Sequence, residues 1–345
     1  MALDAQTRSP PPTPSPTASP NTKLSPTEAA VKRWIEIDQL TASTRYHFIE
    51  NDNHKKAANN NQYQFIARFR FKFDPKGNYG IAAKIGTGST FTTEWNASGW
   101  GTGSLQKNLA LRQFYFYAKP RKDVEVQVGG LYINYGETTE AISYDADSYI
   151  EGERVQVRNP KKLYFDEISL TYASLSDINQ PEFFRRVKHF DKQNYHQFLV
   201  RKQFNKYVRF SADYTFQSGI DNLHEAFAFK IPPRHLIDNL LFEQYQRLDP
   251  DKDYGFNIFA DRQLNKKFSL SGGFARINIP SLNGDRFQPG KRVYSNAGLK
   301  LSPEFTLTTQ VTQGVGFIKP TISRTRIDVI LTYNIFETLK RTKYF

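Results

Sequence analysis

The sequence predicts an all-β chain folded as an up-and-down antiparallel transmembrane β-barrel of about sixteen strands, with fourteen as the alternative count. Three observations carry this. The stretch YQFIARFRFKFDP at 63–75 puts Tyr63, Phe65, Ala67, Phe69, Phe71 and Phe73 on one parity, with Gln64, Arg68, Arg70 and Lys72 on the other. A period of two sends these rows to opposite faces of a strand. Short polar connections alternate with long ones, as in barrels that have short periplasmic turns and long outer loops. Aromatic residues make up 14% of the chain, with 28 Phe and 19 Tyr, and the outward rows are crowded with them.

Taken in order, residues 9–26 (SPPPTPSPTASPNTKLSP) are rich in Pro, Ser and Thr and read as an extended, solvated tether. This makes 1–32 a disordered N-terminal segment and 33–345 the barrel. TEAAVKRW at 27–34 has the makings of a short helix capped by Thr27. Strands follow near 42–50, 62–74, 78–87, 108–118, 123–134 and 150–158. The next are near 162–173, 193–203, 206–217, 223–231, 238–247 and 254–263, and the last near 267–278, 292–301, 304–315 and 324–336. Tight turns such as FDPKGNY, KPRKD, QFNKY, QLNKK and LSPEF join partners into hairpins. The segments 50–62, 87–107, 135–149, 175–192 and 279–291 read as the long loops. FFRRVKHF at 183–190 reads as a short amphipathic helix within one of them. PPRHLIDNLL is the weakest strand signal, because it also suits a helix; that is why fourteen strands stays open.

An even strand count returns the chain to its starting side, so both termini are expected on the short-turn, periplasmic side. Parity is consistent in later strands. Val208, Phe210, Ala212, Tyr214 and Phe216 alternate with Arg209, Ser211, Asp213, Thr215 and Gln217; Ile327, Val329, Leu331, Tyr333 and Ile335 alternate with Arg326, Asp328, Thr332 and Asn334. A soluble sandwich shows the same period, so strand number, turn alternation and aromatic rows decide for the barrel.

Mean hydropathy is −0.61, and no run approaches the roughly 18 apolar residues of a membrane helix. Strands that need only about ten residues with alternate apolar side chains remain allowed. With no cysteine, disulfides and thiolate metal sites are excluded. The net charge of +13 suits an anionic solute, a membrane surface or nucleic acid. MALDAQTRS contains no apolar h-region, so no signal peptide is expected within it.

This pattern resembles that of the Gram-negative outer-membrane general porins. The likeness is architectural, spans 33–345 and rests on no residue-level motif. Phe345, preceded by Tyr344, resembles the terminal aromatic that serves as an assembly signal in such barrels. ETLKRTK separates it from the last strand, so Phe336, closing LTYNIF, is the other carrier of that role. The resemblance implies that the loop after the fifth strand folds inward and faces a basic wall. Here that stretch is 135–153, which carries Glu137, Glu140, Asp145, Asp147, Glu151 and Glu153 with no Lys or Arg. Lumen parity on the first strands supplies Arg45, Arg68, Arg70, Lys72, Lys84 and Arg112; Arg154, Arg158 and Arg209 follow on later ones. Acid against base across a narrow passage makes a transverse field that orients dipolar solutes. The bland alternative for each charge is an ordinary solvated position. The resemblance also implies lipid and lipopolysaccharide as surroundings, a homotrimer and the outer membrane as location.

Other chemistry has little support. GTGST and GTGSL lack the Gly-Lys-Ser/Thr ending of a phosphate loop. Asp249, Asp251 and Asp253 have calcium-loop spacing, but Tyr254 and Ala260 stand where Gly and Glu belong. The six His show no zinc spacing, and no cofactor or metal is expected. His47, at lumen parity, has the option of pairing with an acid. The leading reading is a non-enzymatic diffusion channel for small hydrophilic solutes with anion preference. A solute-specific channel for phosphate or an acidic saccharide is the alternative. A soluble basic β protein binding nucleic acid ranks behind both, because the cations are spread over many strands instead of forming one stripe.

Overall fold

In the computed structural model, residues 34–88, 93–98, 108–142, 149–159, 163–175, 177, 180–187, 193–232, 235–248, 254–277, 290–316 and 324–342 are described. The strands are β1 (Ile35–Glu50), β2 (Lys56–Lys72), β3 (Tyr79–Thr87), the two-residue β4 (Asn96–Ala97), β5 (Leu109–Arg121) and β6 (Val124–Tyr132). Then come β7 (Tyr149–Arg158), β8 (Glu167–Ser174), β9 (Tyr195–Gln203), β10 (Val208–Gln217), β11 (Ile220–Lys230) and β12 (Asn239–Arg247). The last are β13 (Tyr254–Gln263), β14 (Phe268–Ile277), β15 (Gly290–Lys300), β16 (Phe305–Gly316) and β17 (Thr325–Asn334). Setting β4 aside, these are the sixteen expected strands. The fourteen-strand alternative fails because β11 and β12 pair along their length, from Asn222↔Arg247 to Lys230↔Asn239.

Every long strand pairs antiparallel with its sequence neighbour, and β1 closes the ring. It pairs with β2 over Ile35–Glu50 and with β17 from Thr41↔Asn334 to Glu50↔Thr325. Closure gives every long strand a partner on both sides, as a β structure in hydrocarbon requires.

The facing of the two rows is seen along β2 and the turn after it. Gln62, Gln64 and Ile66 are buried inside, while Phe71 and Phe73 are exposed on the outer wall at 41% and 54%. Rings meet in pairs on that wall, Phe69 with Phe71 at 6.4 Å and Phe210 with Phe227 at 4.8 Å. Side-chain amides tighten the short turns. Asn205 Oδ1 accepts from the backbone N–H of Tyr207 and Val208 at 2.7 and 3.0 Å. Asn265 repeats the arrangement toward Lys267 and Phe268 at 2.8 and 3.0 Å. Such local bonds are why Asn marks turns.

Three expectations need correction, on one long loop, on the alternation of short and long connections and on the end of the last strand. The segment 50–62 is not a long loop: only 51–55 lies outside the strands, because AANNNQ continues the ladder (Asn59↔Phe48, Asn61↔Tyr46). The turn Ser218–Gly219 joins β10 to β11 in two residues on the long-loop side, with φ of 50° and 89°. Both positive values suit the twist of a tight hairpin. Phe336 closes no strand; it belongs to the helix α2 (Ile335–Arg341), capped by the Asn334 side chain accepting from Glu337 N–H. Of FFRRVKHF, the part Phe183–Arg186 forms a helix, α1. The N-terminal tether, Asp145, Asp147, the 249–253 aspartates, loop 279–289 and Phe345 lie outside the described residues.

Candidate functional site

The chain after the fifth long strand, β6, turns into the barrel. Arg201 Nη2 donates to the Tyr135 carbonyl, and Gln197 Nε2 donates to the Asn134 carbonyl at 2.7 Å. Gly136 lies so close to the Ser211 side chain on β10 that no Cβ would fit. Ser211 Oγ accepts from Glu137 N–H at 2.7 Å. The chain then passes along Glu243 on β12, which accepts from Thr138 Oγ1 at 2.7 Å and from Thr139 N–H at 3.2 Å. Ala141 and Ile142 end the crossing in an apolar cluster with Tyr245, Ala275, Ile277 and Tyr294. Residues 133–142 therefore line the inner wall from β9 to β14.

Glu243 is itself held by a buried chain of charges. His224 Nε2 is 3.2 Å from Glu243 Oε2, and its Nδ1 is 3.3 Å from Asp213 Oδ2. Asn257 Nδ2 donates to Glu243 Oε1 and to Thr139 Oγ1, both at 2.8 Å. Tyr294 completes the network by donating to Asn257 Oδ1 at 2.9 Å.

A second inward element covers the opposite wall. Residues 93–98, including β4, place Glu94 and Trp95 inside beside β1–β5. Lys84 pairs with Glu94, and Arg112 Nε lies 3.7 Å from the same carboxylate. The Arg45 guanidinium stacks 4.4 Å from the Trp95 ring, donates to Gln62 at 2.7 Å and lies 3.7 Å from Asp328. His47, as its parity suggested, meets an acid: Nδ1 is 2.5 Å from Asp328 Oδ1.

Of the basic wall positions, Arg45, Lys84, Arg112 and Arg154 thus face inward but are fully buried, at 0–1% exposure. They differ from open lumen cations because carboxylates, Trp95 and wall groups cover them; Arg154 donates to Thr171, Gln127 and the Tyr132 carbonyl. The less deeply buried inward cations sit toward the short-turn end. Arg70 meets Asp38 at 2.9 Å and Lys72 meets Glu36 at 3.1 Å, with Arg68 beside them on β2. Arg209 meets Glu137 at 3.0 Å. Arg158 and Arg201 share Glu167 at 3.9 and 3.2 Å. Together Glu137, Arg158, Glu167, Arg201 and Arg209 line part of a cavity of about 190 Å³.

The acidic set divides likewise. Among the described residues of that set, Glu137 meets the basic wall, through Arg209. Glu140 is buried in the inward segment with φ of 62°. Glu151 and Glu153 belong to β7 and not to the loop. Glu151 is fully buried with its carboxylate 3.7 Å from Arg186 Nε, while Glu153 is exposed on the parity of Val155. Arg186, the last residue of α1, also lies 4.1 Å from the Tyr149 ring. Arg186, Arg201, Glu94, Trp95 and the Asp213–His224–Glu243 chain were not singled out from sequence. Parity did place Asp213 inside, but it carries no information on which partner lies across the barrel.

No family model and no curated protein matches the chain. Solved structures do match. A triple-mutant porin of Rhodopseudomonas blastica superposes with a TM-score of 0.55 at 11% identity, covering 87% of this chain and 99% of that one. A second variant of that porin gives the same values. A structure described for the asymmetric conductivity of engineered proteins gives a TM-score of 0.54 at 11% identity, covering 87% of this chain and 100% of its own. These likenesses show the fold: a closed, sixteen-strand, up-and-down antiparallel barrel, as in porin structures.

Proposed function

We propose that this protein is an outer-membrane diffusion channel for small hydrophilic solutes, with a preference for anions. The observation that carries the reading is the inward course of residues 133–142, anchored on β9, β10, β12, β13 and β14. A sixteen-strand barrel encloses more space than side chains from its walls fill. A segment crossing inside such a barrel narrows the passage that remains.

Anion preference rests on the short-turn mouth. There Arg68, Arg70, Lys72, Arg158, Arg201 and Arg209 stand against Glu36, Asp38, Glu137 and Glu167 on β1, β2, β7–β10 and the inward segment. Arg158 and Arg209 keep side-chain exposures of 51% and 56%, so they remain wetted despite their partners. An excess of wetted cations at a mouth lowers the energy of an entering anion and raises its local concentration. The same porin architecture favours a homotrimer and a non-enzymatic role.

Planar-bilayer recording of the detergent-folded chain tests this. Stepwise conductance with a reversal potential displaced toward anions in a salt gradient is the expected result. Saturable block by micromolar phosphate or an acidic saccharide favours the solute-specific channel instead. A folded, inserted chain that carries no current sinks the proposal.

A further inference from the structure

We propose that the inner wall formed by β14, β15, β16, β17 and β1 is a binding surface for a saccharide that carries a carboxylate, as a uronic-acid oligosaccharide does. This deepens the channel reading, on which it rests, by naming the class of solute. The middle strand of the wall, β16, stands halfway round the ring from β8, away from Arg158, Arg201 and Arg209.

Parity sets the wall. Leu270, Val293, Phe305 and Val311 are exposed on the outside, at 38–48%. The alternate positions of the same strands therefore face the lumen, and they carry hydroxyls and amides. On β16 these are Thr306, Thr308, Gln310 and Thr312; on β14 they are Ser269 and Ser271, and on β15 Asn296. Register joins them into rows across the strands. Ser271 is opposite Asn296, and Asn296 is opposite Gln310. Nearer the short turns, Thr306 is opposite Thr332, and Thr332 is opposite Ser43. Asn296 Nδ2 donates to Ser271 Oγ at 3.2 Å, and the Ser43 and Thr332 hydroxyls meet at 3.0 Å. Ser269, Ser271, Asn296, Thr306, Thr308 and Thr332 are only half-buried, and inside a closed barrel what they expose faces the lumen.

The chemistry of the wall selects its ligand. A hydroxyl both donates and accepts, and a side-chain amide offers both groups. Rows of such groups, about 4.8 Å apart from strand to strand, suit a ligand whose own groups also do both. The hydroxyl-covered face of a sugar is such a ligand. Phosphate chiefly accepts, and finds its stronger donors on cations. An apolar platform lies one row toward the loops. The Phe259 and Tyr294 rings stack there at 6.4 Å and 14°. Gly273 stands between them in register and leaves room for Tyr294, since a Cβ there would lie 2.7 Å from the Tyr294 hydroxyl oxygen. Phe259 stays half-buried, so apolar surface adjoins the polar row of Asp261, Ser271 and Asn296. A pocket that recognises a small polar molecule combines these two kinds of surface. A cation places the acid. Lys300 has the inward parity of β15, is exposed at the short-turn end and lies directly opposite Thr306. A sugar held on Thr306 and Thr308 thus brings a carboxylate to Lys300.

The test uses the full chain, folded in detergent and inserted in a planar bilayer. The probes are digalacturonate, its uncharged dimethyl ester and inorganic phosphate. Digalacturonate should interrupt the ion current saturably. Loss of one hydrogen bond weakens binding about fivefold. T306V/T308V, which keeps the side-chain shape, should therefore raise the half-blocking concentration about twentyfold. S269A/S271A repeats the hydroxyl test on another strand, and T306S/T308S, which retains both hydroxyls, should bind like wild type. K300Q should weaken block by digalacturonate and leave block by the dimethyl ester as it was. Equal block of wild type and both hydroxyl-free variants overturns the proposal, as does block by phosphate at the same concentration as digalacturonate. A wild-type current that digalacturonate does not alter overturns it too. A barrel with heat-modifiable migration and no current sinks the channel reading by itself; calorimetric titration of the same detergent-folded proteins then decides the wall by the same comparisons.

Discussion

His224 Nε2 stands 3.2 Å from Glu243 Oε2, inside the barrel, and that carboxylate is what Thr138 and Thr139 of the inward segment hold. The wall of the barrel and the element that narrows it are therefore joined through one buried imidazole–carboxylate contact. Removing one partner of such a buried pair costs far more than the pair contributes, because a charge is left without compensation.

His224→Phe leaves Asp213 and Glu243 buried without the group between them. We expect a loss of about 3–5 kcal/mol, read as a lower urea midpoint of the detergent-folded barrel. Neutralising all three, as D213N/H224F/E243Q, should recover part of that loss. If the single variant is as stable as wild type, the chain does not bind its segment through this contact.

Glu243→Gln addresses the same junction from the channel side. The amide presents one acceptor where the carboxylate presents two, so Thr138 and Thr139 cannot both be held as now. Larger current fluctuations and a higher mean single-channel conductance are expected. A conductance trace indistinguishable from wild type contradicts a narrowing role for residues 133–142.

The outer and inner parities are separable by substitution. Phe210→Arg puts a charge on the lipid-facing wall, where Phe210 packs on Phe227. The cost is about 2–4 kcal/mol at mid-bilayer and falls toward about 1 near an interface, so at Phe210, two residues into β10 from the short turn, the lower end is expected. Thr308→Arg, on the inward parity of β16, should cost much less. Folding yields into lipid vesicles give the comparison, and equal yields would mean that the wall has been assigned the wrong way round.

Glu304 ties the short turn before β16 to the helix α2. The hydrogen bond from Arg341, aided by Ser302, holds its carboxyl down at about 2, against an ordinary 4.5. A depressed pKa means a contribution present above the unfolded value and lost as pH falls toward the folded one. Docking of α2 should thus be steady above pH 4.5 and weaken between there and about pH 2. Amide exchange at Leu339–Arg341, corrected for its intrinsic pH dependence, measures this. E304Q should remove the pH dependence and leave a uniformly looser helix.

The barrel was legible because its rule is local. Two faces meet two solvents, so each strand declares itself by period, as YQFIARFRFKFDP does, and Asn205 or Asn265 declares a turn. The interior was less legible because its partners are distant in sequence. Nothing near Lys84 announces Glu94 as its cover, and nothing near Thr138 announces Glu243. Parity sent Arg45, Lys84, Arg112 and Arg154 to the right side of the wall but could not show that other inward groups would cover them. Where a charge run lies on a strand end, as with Arg158, exposure survived, since fewer inward groups reach the mouth.

The charge at that mouth makes the last prediction. Arg158, Arg201 and Arg209 gather about Glu167 and Glu137, one cation more than the carboxylates there. Charges act on a passing ion within a Debye length, about 8 Å at physiological salt and about 3 Å at 1 M. Converting the three arginines to glutamine should therefore move the reversal potential in a salt gradient toward cations. Glu137→Gln should move it the other way, by freeing Arg209 from its partner. Both displacements should shrink as salt approaches 1 M, because screening then confines each charge to ions in contact with it. A shift that persists at high salt would point to a steric change in the passage and not to its field. No shift at low salt, in channels of normal conductance, would remove the mouth as the seat of ion preference.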